Sequence, residues 1–202
     1  MDAFEMLSDG SLLLSPDTAV TLTGVGAVDD SDIVRFTPTS TGSNTAGTYT
    51  WYFDGSDVEL SLDAEDIDAL NILADGRIVI STLTSFTVTG ASGLDEDLLA
   101  FTPTSLGSTT AGSWAIYFDG SDVGLSTNSN ENVNGAWTAS NGSLYLSTVG
   151  AFAVTGLSGD GADIFICTPG SFGSTTACTF TLYWDGSVNG FAGAVDAFAI
   201  TP

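Results

Sequence analysis

The sequence predicts an all-β protein: three four-stranded antiparallel meanders, propeller-blade-like repeats of 65 to 66 residues, and one extra C-terminal strand. Three observations carry this. One stretch occurs three times, as Trp51-Tyr52-Phe53-Asp54-Gly55-Ser56-Asp57-Val58, as Trp114 to Val123, and as Leu182-Tyr183-Trp184-Asp185-Gly186-Ser187-Val188, with its shared Asp at 54, 119 and 185. Short apolar runs separated by turn residues recur in register with it. No apolar 3.6-residue period survives over a useful window, so helix signals are absent. The repeats run 1–65, 66–131 and 132–193, and residues 194–202 are left over.

Each repeat opens with a strand-like segment: Asp2 to Leu7, Ile67 to Ile72, and Val133 to Trp137. Asp9-Gly10, Asp75-Gly76 and Asn141-Gly142 follow, and such pairs between apolar runs predict two-residue type I′ hairpins. The second strands, Leu12-Leu13-Leu14, Ile78-Val79-Ile80 and Leu144-Tyr145-Leu146, are continuously apolar, the pattern of strands buried on both faces. A Gly-, Ser- and Thr-rich loop then carries an apolar plug, Val20, Phe86 or Phe152, and ends in acidic residues such as Asp95-Glu96-Asp97. The third strands end at Pro38, Pro103 and Pro169, because Pro cannot donate to a ladder. In the fourth strands the alternation places Tyr49, Trp51 and Phe53 on one face, likewise Trp114, Ile116 and Phe118, and Phe180, Leu182 and Trp184.

A meander that recurs with sheets buried on both faces describes a propeller blade, although propellers typically have about 4 to 8. The C-terminal segment Val195-Asp196-Ala197-Phe198-Ala199-Ile200 repeats the opening strand, and Asp196-Ala197-Phe198 is identical to Asp2-Ala3-Phe4. This surplus strand has three placements: pairing inside its own chain, beginning a truncated fourth unit, or donation to an open sheet edge of another copy. Head-to-tail addition that does not close gives a fibre. The assembly residues on this reading are Asp2, Ala3, Phe4, Val195, Asp196, Ala197, Phe198 and Ile200.

The segments Tyr117 to Ser126, Ile67-Asp68-Ala69-Leu70 with Asp75-Gly76-Arg77, Asp95 to Leu99 and Phe101 to Ser105 resemble the acidic β-propeller-like repeats of large secreted or surface bacterial proteins. The resemblance covers the whole chain and is best in the middle repeat. It implies an extracellular or cell-surface location and no enzymatic role. The third repeat departs from the pattern: Ser187-Val188 replaces Ser-Asp-Val, and Asn132 and Asn134 replace Asp66 and Asp68.

Composition bounds the chemistry. The 202 residues carry 25 Asp and Glu against 2 Lys and Arg, a net charge of -23. Such a surface repels phosphate backbones and anionic lipid, which excludes nucleic acid and membrane insertion from the expected partners. There is no His, so the usual general base and a Ser-His-Asp triad are missing. No catalytic residue is identified and no enzyme is expected. Calcium is the one cofactor the charge suggests, with Asp54, Asp57, Asp66, Asp68, Asp95, Asp97, Asp119 and Asp122 as hard oxygen ligands near turns. The competing reading gives these aspartates Asx turns and strand-edge protection. Cys167 stands where repeats one and two have Phe36 and Phe101, and Cys178 where they have Gly47 and Gly112. Two unlike residue types replaced together predict a disulfide and an oxidising compartment; two buried thiols are the alternative.

The expected function is therefore a non-enzymatic extracellular structural protein that joins copies of itself end to end into a fibre or surface layer. The alternative is a calcium- or carbohydrate-binding adhesive module of a larger bacterial surface protein, with a glycan as partner.

Overall fold

The computed structural model describes residues 1–126 and 128–200. It contains three four-stranded antiparallel sheets and three two-stranded ones, with no α-helix among the described residues. Among them, no helix is long and apolar enough to cross a membrane. Repeat one holds β1 (Ala3–Met6), β2 (Leu12–Ser15), β3 (Val20–Leu22), β4 (Gly26–Val28), β5 (Ile33–Ser40) and β6 (Ala46–Phe53). Repeat two holds β7 (Ile67–Ile72), β8 (Ile78–Thr82), β9 (Phe86–Val88), β10 (Ala91–Gly93), β11 (Leu98–Ser105) and β12 (Ala111–Phe118). Repeat three holds β13 (Val133–Thr138), β14 (Leu144–Thr148), β15 (Phe152–Val154), β16 (Leu157–Gly159), β17 (Ile164–Ser171) and β18 (Ala177–Trp184). The main sheets run β1-β2-β5-β6, β7-β8-β11-β12 and β13-β14-β17-β18, the expected meander. Each apolar plug sits in the small hairpin inserted between the second and third main strands.

Local chemistry corrects three expectations. The first turn is a three-residue loop, not a two-residue type I′ turn. Leu7 and Ser11 face each other, Gly10 has φ 82°, and Asp9 is not left-handed. Asp9 Oδ1 instead accepts the Ser11 N–H, an Asx turn that fixes the loop before the left-handed Gly. Asp75 and Asn141 accept from Arg77 and Ser143 in the same way. The third strands do not stop at Pro. Each runs on to Ser40, Ser105 or Ser171 through a bulge just after Pro38, Pro103 or Pro169. Past Phe36, β5 has lost β2 and keeps only β6 as a partner, so Pro38 lies on an edge where a missing N–H is tolerated. Finally, the fourth-strand aromatics do not share one face. Leu98 pairs with Phe118 and Leu99 with Ile116, so a bulge at Tyr117 reverses the side-chain parity.

That bulge serves two cores at once. Trp114 faces repeat one with Leu99 and Phe101, whereas Tyr117 and Phe118 face repeat three with Leu98 and Ala100. Each core is thus a seam between consecutive sheets. One joins Leu13, Ile33 and Phe53 to Ile80, Phe86 and Phe101. The other joins Leu98 and Phe118 to Leu146, Phe152 and Phe165. Only β8, in the middle sheet, is buried along its full length; Leu12 and Leu14 of β2 and Tyr145 of β14 are half-buried. The first strands lie side by side, β1 against β7 and β7 against β13. Residues 194–200 join no ladder. The Val195 N–H nonetheless donates to Gly161 O, as Ile67 does to Asp30 O and Val133 to Asp95 O. The segment therefore occupies the place of a fourth repeat's first strand; residues 201–202 lie outside the described residues.

The predicted disulfide is present, Cys167 to Cys178, with Cα atoms 5.3 Å apart. A Cβ on Gly47 would meet the Phe36 ring at 2.5 Å, and one on Gly112 the Phe101 ring at 2.4 Å. Repeats one and two thus lay a Phe ring over a bare Gly, and repeat three fills the same space with the bridge.

Candidate functional site: the axial carboxylates and the repeat seams

The candidate acids fall into three settings. Asp54, Asp57, Asp119 and Asp122 lie at the seams. Thr110 N–H donates to Asp57 Oδ2 at 2.8 Å, and Asp54 N–H donates to Thr110 Oγ1 at 2.9 Å. Thr176 repeats both bonds with Asp122 and Asp119. Gly107 and Gly173 donate to Tyr52 O and Tyr117 O alongside. Each Asp-Gly-Ser-Asp turn therefore clasps the next repeat, and Ser56 and Ser121 occupy the Oδ1 atoms of Asp54 and Asp119.

Asp97 is a second kind. Its two oxygens accept the N–H groups of Leu94 and Gly120, at 2.9 and 2.8 Å. Asp32 and Asp163 repeat this with Asp29 and Gly55, and with Asp160 and Gly186. This carboxylate ties the start of the third strand to the end of the fourth. Beside it, Glu96 is pushed up to about 7 by burial first, then by a hydrogen bond shared with Asp95 and the charges of Asp97 and Asp95.

The third setting is axial in the sense that it follows the row of first strands, β1, β7 and β13, lying side by side. Asp2, Asp68, Asn134 and Asp196 occupy one position in the four copies of strand one, and they converge. Asp68 is pushed up to about 6 by burial, with Asp2, Asp196 and Asp95 adding to the rise and an Asn132 hydrogen bond opposing it. Asp196 is raised by burial and by Asp2, and it takes a hydrogen bond from Asn134. Asp66 rises furthest, to about 8, through burial, the charges of Asp2, Asp30 and Asp68, and a side-chain hydrogen bond with Asp2. Asp2, Asp17 and Asp66 each offer an oxygen within 4.8 Å of the others.

The structure thus brings Asp66 and Asp68 to the axis, Asp95 within electrostatic reach of Asp68, and leaves Asp54, Asp57, Asp97, Asp119 and Asp122 in hydrogen bonds of the fold. Sequence reasoning missed Asp17 and did not credit Asp2 and Asp196 as carboxylates of the same cluster. The signal was the shared register of Asp2, Asp68, Asn134 and Asp196; for Asp17 it was an Asp where the other repeats have Leu83 and Val149.

The two ends of the row of sheets are uncovered. Phe86 and Phe152 are 1% and 3% exposed because each plugs into the preceding repeat, whereas Val20, their counterpart in repeat one, is 39% exposed. Leu60 and Leu125 are covered by the following repeat; their counterpart Phe191 is 41% exposed. A groove of about 480 Å³ runs beside Phe191, between Gly161 and Ala194. On the free face of the third sheet, Trp137, Tyr145 and Tyr183 form an edge-on aromatic row, with ring centroids 5.4 and 4.9 Å apart. Comparison with protein families, with curated proteins and with solved structures found no match to this chain.

Proposed function

We propose that this is a non-enzymatic extracellular structural protein whose copies join end to end by strand complementation. The observation that carries the reading is the pair of half-seams at the two ends, together with the unladdered strand on one of them. Residues 194–200 of one copy stay on their own β13 and pair with β2 of the next copy, replacing its β1. The exchange is between near-identical strands, Asp196-Ala197-Phe198 for Asp2-Ala3-Phe4, the low-cost route to swapped assemblies. Repeat one of the incoming copy then covers Phe191 and Tyr183, and its own Val20 finds a seam. The disulfide and the net charge of -23 support an oxidising, extracellular setting.

Negative-stain microscopy and light scattering on three proteins test this: the full chain, a chain lacking 194–202, and a chain lacking residues 1–6. The full chain should form filaments, loss of 194–202 should abolish them, and loss of 1–6 should promote them by freeing β2. Discrete particles from both the full chain and the 1–6 deletion at high concentration would refute it.

A second reading rests on the aromatic row. Trp137, Tyr145 and Tyr183 offer apolar ring surface with a polar rim, the chemistry of a sugar-binding platform. Saturable binding on a glycan array, lost with Tyr183→Ala in a protein that stays monomeric, would favour that adhesive role.

A further inference from the structure

We propose that Asp2, Asp17 and Asp66 hold a hard divalent cation of the calcium class that pins the first repeat to the second. The three side chains come from the start of β1, the loop after β2 and the residue just before β7. Their oxygens lie within 4.8 Å of one another, close to the spacing of about 4 Å that three oxygens take around one calcium ion at about 2.4 Å.

The second observation is an orphan atom. Asp66 is 4% exposed, and its Oδ1 is buried with no hydrogen-bond partner among the described residues. A buried carboxylate oxygen without a donor is costly, and nearly every such atom in a folded protein is matched. The two arginines are engaged elsewhere, Arg35 with Asp9 and Arg77 with Asp75. The amino group of Met1 stands 3.9 Å from Asp2 Oδ1.

The next seam supplies an internal comparison. There Asn132 takes the place of Asp66, Asp68 that of Asp2, and Leu83 that of Asp17. The Asn132 amide nitrogen donates to Asp68 Oδ2 at 2.9 Å and to Leu83 O at 3.2 Å, so the second seam carries its own positive hydrogens, although Asn132 Oδ1 is as unpartnered among the described residues as Asp66 Oδ1 is. In the first seam the same place is all carboxylate, with Asp66 hydrogen-bonded to Asp2, so a cation finds three acidic oxygens where the second seam has amide hydrogens. Asp17 is exposed, which leaves room for the waters that complete a shell of six to eight oxygens. Magnesium, which needs near-octahedral geometry at about 2.0–2.1 Å, fits three converging carboxylates from separate segments less well.

The test is calorimetric titration of calcium chloride into chelator-treated full-length protein at about 0.15 M salt, where diffuse counterion attraction is screened. Wild type should show one saturable site in the range of about 0.1–1 mM or tighter. Asp17→Asn, at an exposed position that folding does not require, should weaken it at least about tenfold. Asp66→Asn should abolish binding while leaving the chelated protein as stable as wild type or more so, since it replaces a buried carboxylate with the amide that the second seam uses. Asp122→Asn, at the other seam, should bind as wild type does. Absence of a saturable site in wild type, or equal binding by wild type and Asp17→Asn, overturns the proposal. The readout is made on the monomer at low concentration, so it stands or falls independently of end-to-end assembly.

Discussion

Restoring the Phe-over-Gly pair in repeat three should leave the protein nearly as stable as the disulfide does. Cys167 is fully buried and pairs across the sheet with Leu144 and Phe180, as Phe101 does with Ile78 and Trp114. The bridge closes a loop over a sequence separation of 11. Chain entropy gives such a loop about 3 kcal/mol. In a domain of this size about 1 kcal/mol moves Tm by about 2–4 °C, so reduction of the wild type should lower Tm by about 6–12 °C. The double substitution Cys167→Phe with Cys178→Gly loses that entropy term but buries a Phe side chain over Gly, a gain of about 1.5–3 kcal/mol. Its Tm should therefore fall within about 6 °C of the oxidised wild type and ignore reductant. Scanning calorimetry with and without reductant measures both. A swap variant no more stable than the reduced wild type would refute the claim that bridge and ring fill the same space to the same end. So would a wild-type Tm that reductant leaves unchanged.

Two further outcomes follow from the seams. Glu96 has a folded pKa near 7, above its ordinary value of 4.5, so its protonated form favours the fold. That contribution is full below about pH 4.5 and is lost as pH rises through about 7. Tm should fall between pH 5 and pH 8, where the raised carboxyls of Asp66 and Asp68 contribute as well, and Glu96→Ala, which installs the residue that repeat three carries at Ala162, should reduce the fall; an unchanged pH profile would show that Glu96 is not one of its sources. At the open end, Val188 stands where Asp57 and Asp122 accept a threonine N–H. Val188→Asp should recreate the clasp for Thr45 of an incoming copy and lower the concentration at which filaments appear by about tenfold, the equivalent of about 1.4 kcal/mol for a net charge-assisted hydrogen bond. Light scattering against concentration reads it, at high salt so that the added charge is screened, and an unchanged or raised threshold would argue against a seam-like joint.

What was legible in the sequence was what repeats or is local. The meander order follows from apolar runs and turn pairs that each span a few residues, and the bridge from two substitutions in one register. The Asp-Gly turns were misread because their loop is one residue longer than the pair suggests, and only the Leu7 to Ser11 pairing reveals it. The bulge at Tyr117 was hidden because strict alternation looks identical on paper whether or not the partner strand skips a residue. The axial cluster was least visible. Asp2, Asp17 and Asp66 are far apart along the chain, and what unites them is the packing of β1 against β7.

The surplus strand and the open faces make sense together, and neither does alone. Exchanging β1 for residues 194–200 keeps the ladder with β2 and keeps the Asp-Ala-Phe core of the strand, so the exchange by itself is close to neutral. The drive must come from covering what the exchange brings together, Val20 on one side and Phe191 and Tyr183 on the other. Fully burying such side chains is worth about 1.5–3 kcal/mol each. Against this stand the loss of the carboxylate clasp at Val188 and the mutual repulsion of two chains at -23 each. In the proposed assembly the joint would therefore be weaker than either internal seam, which has clasp and plug together. A filament built this way should break between copies and not within them, and salt should lengthen it by screening the repulsion while leaving the buried plug contacts intact.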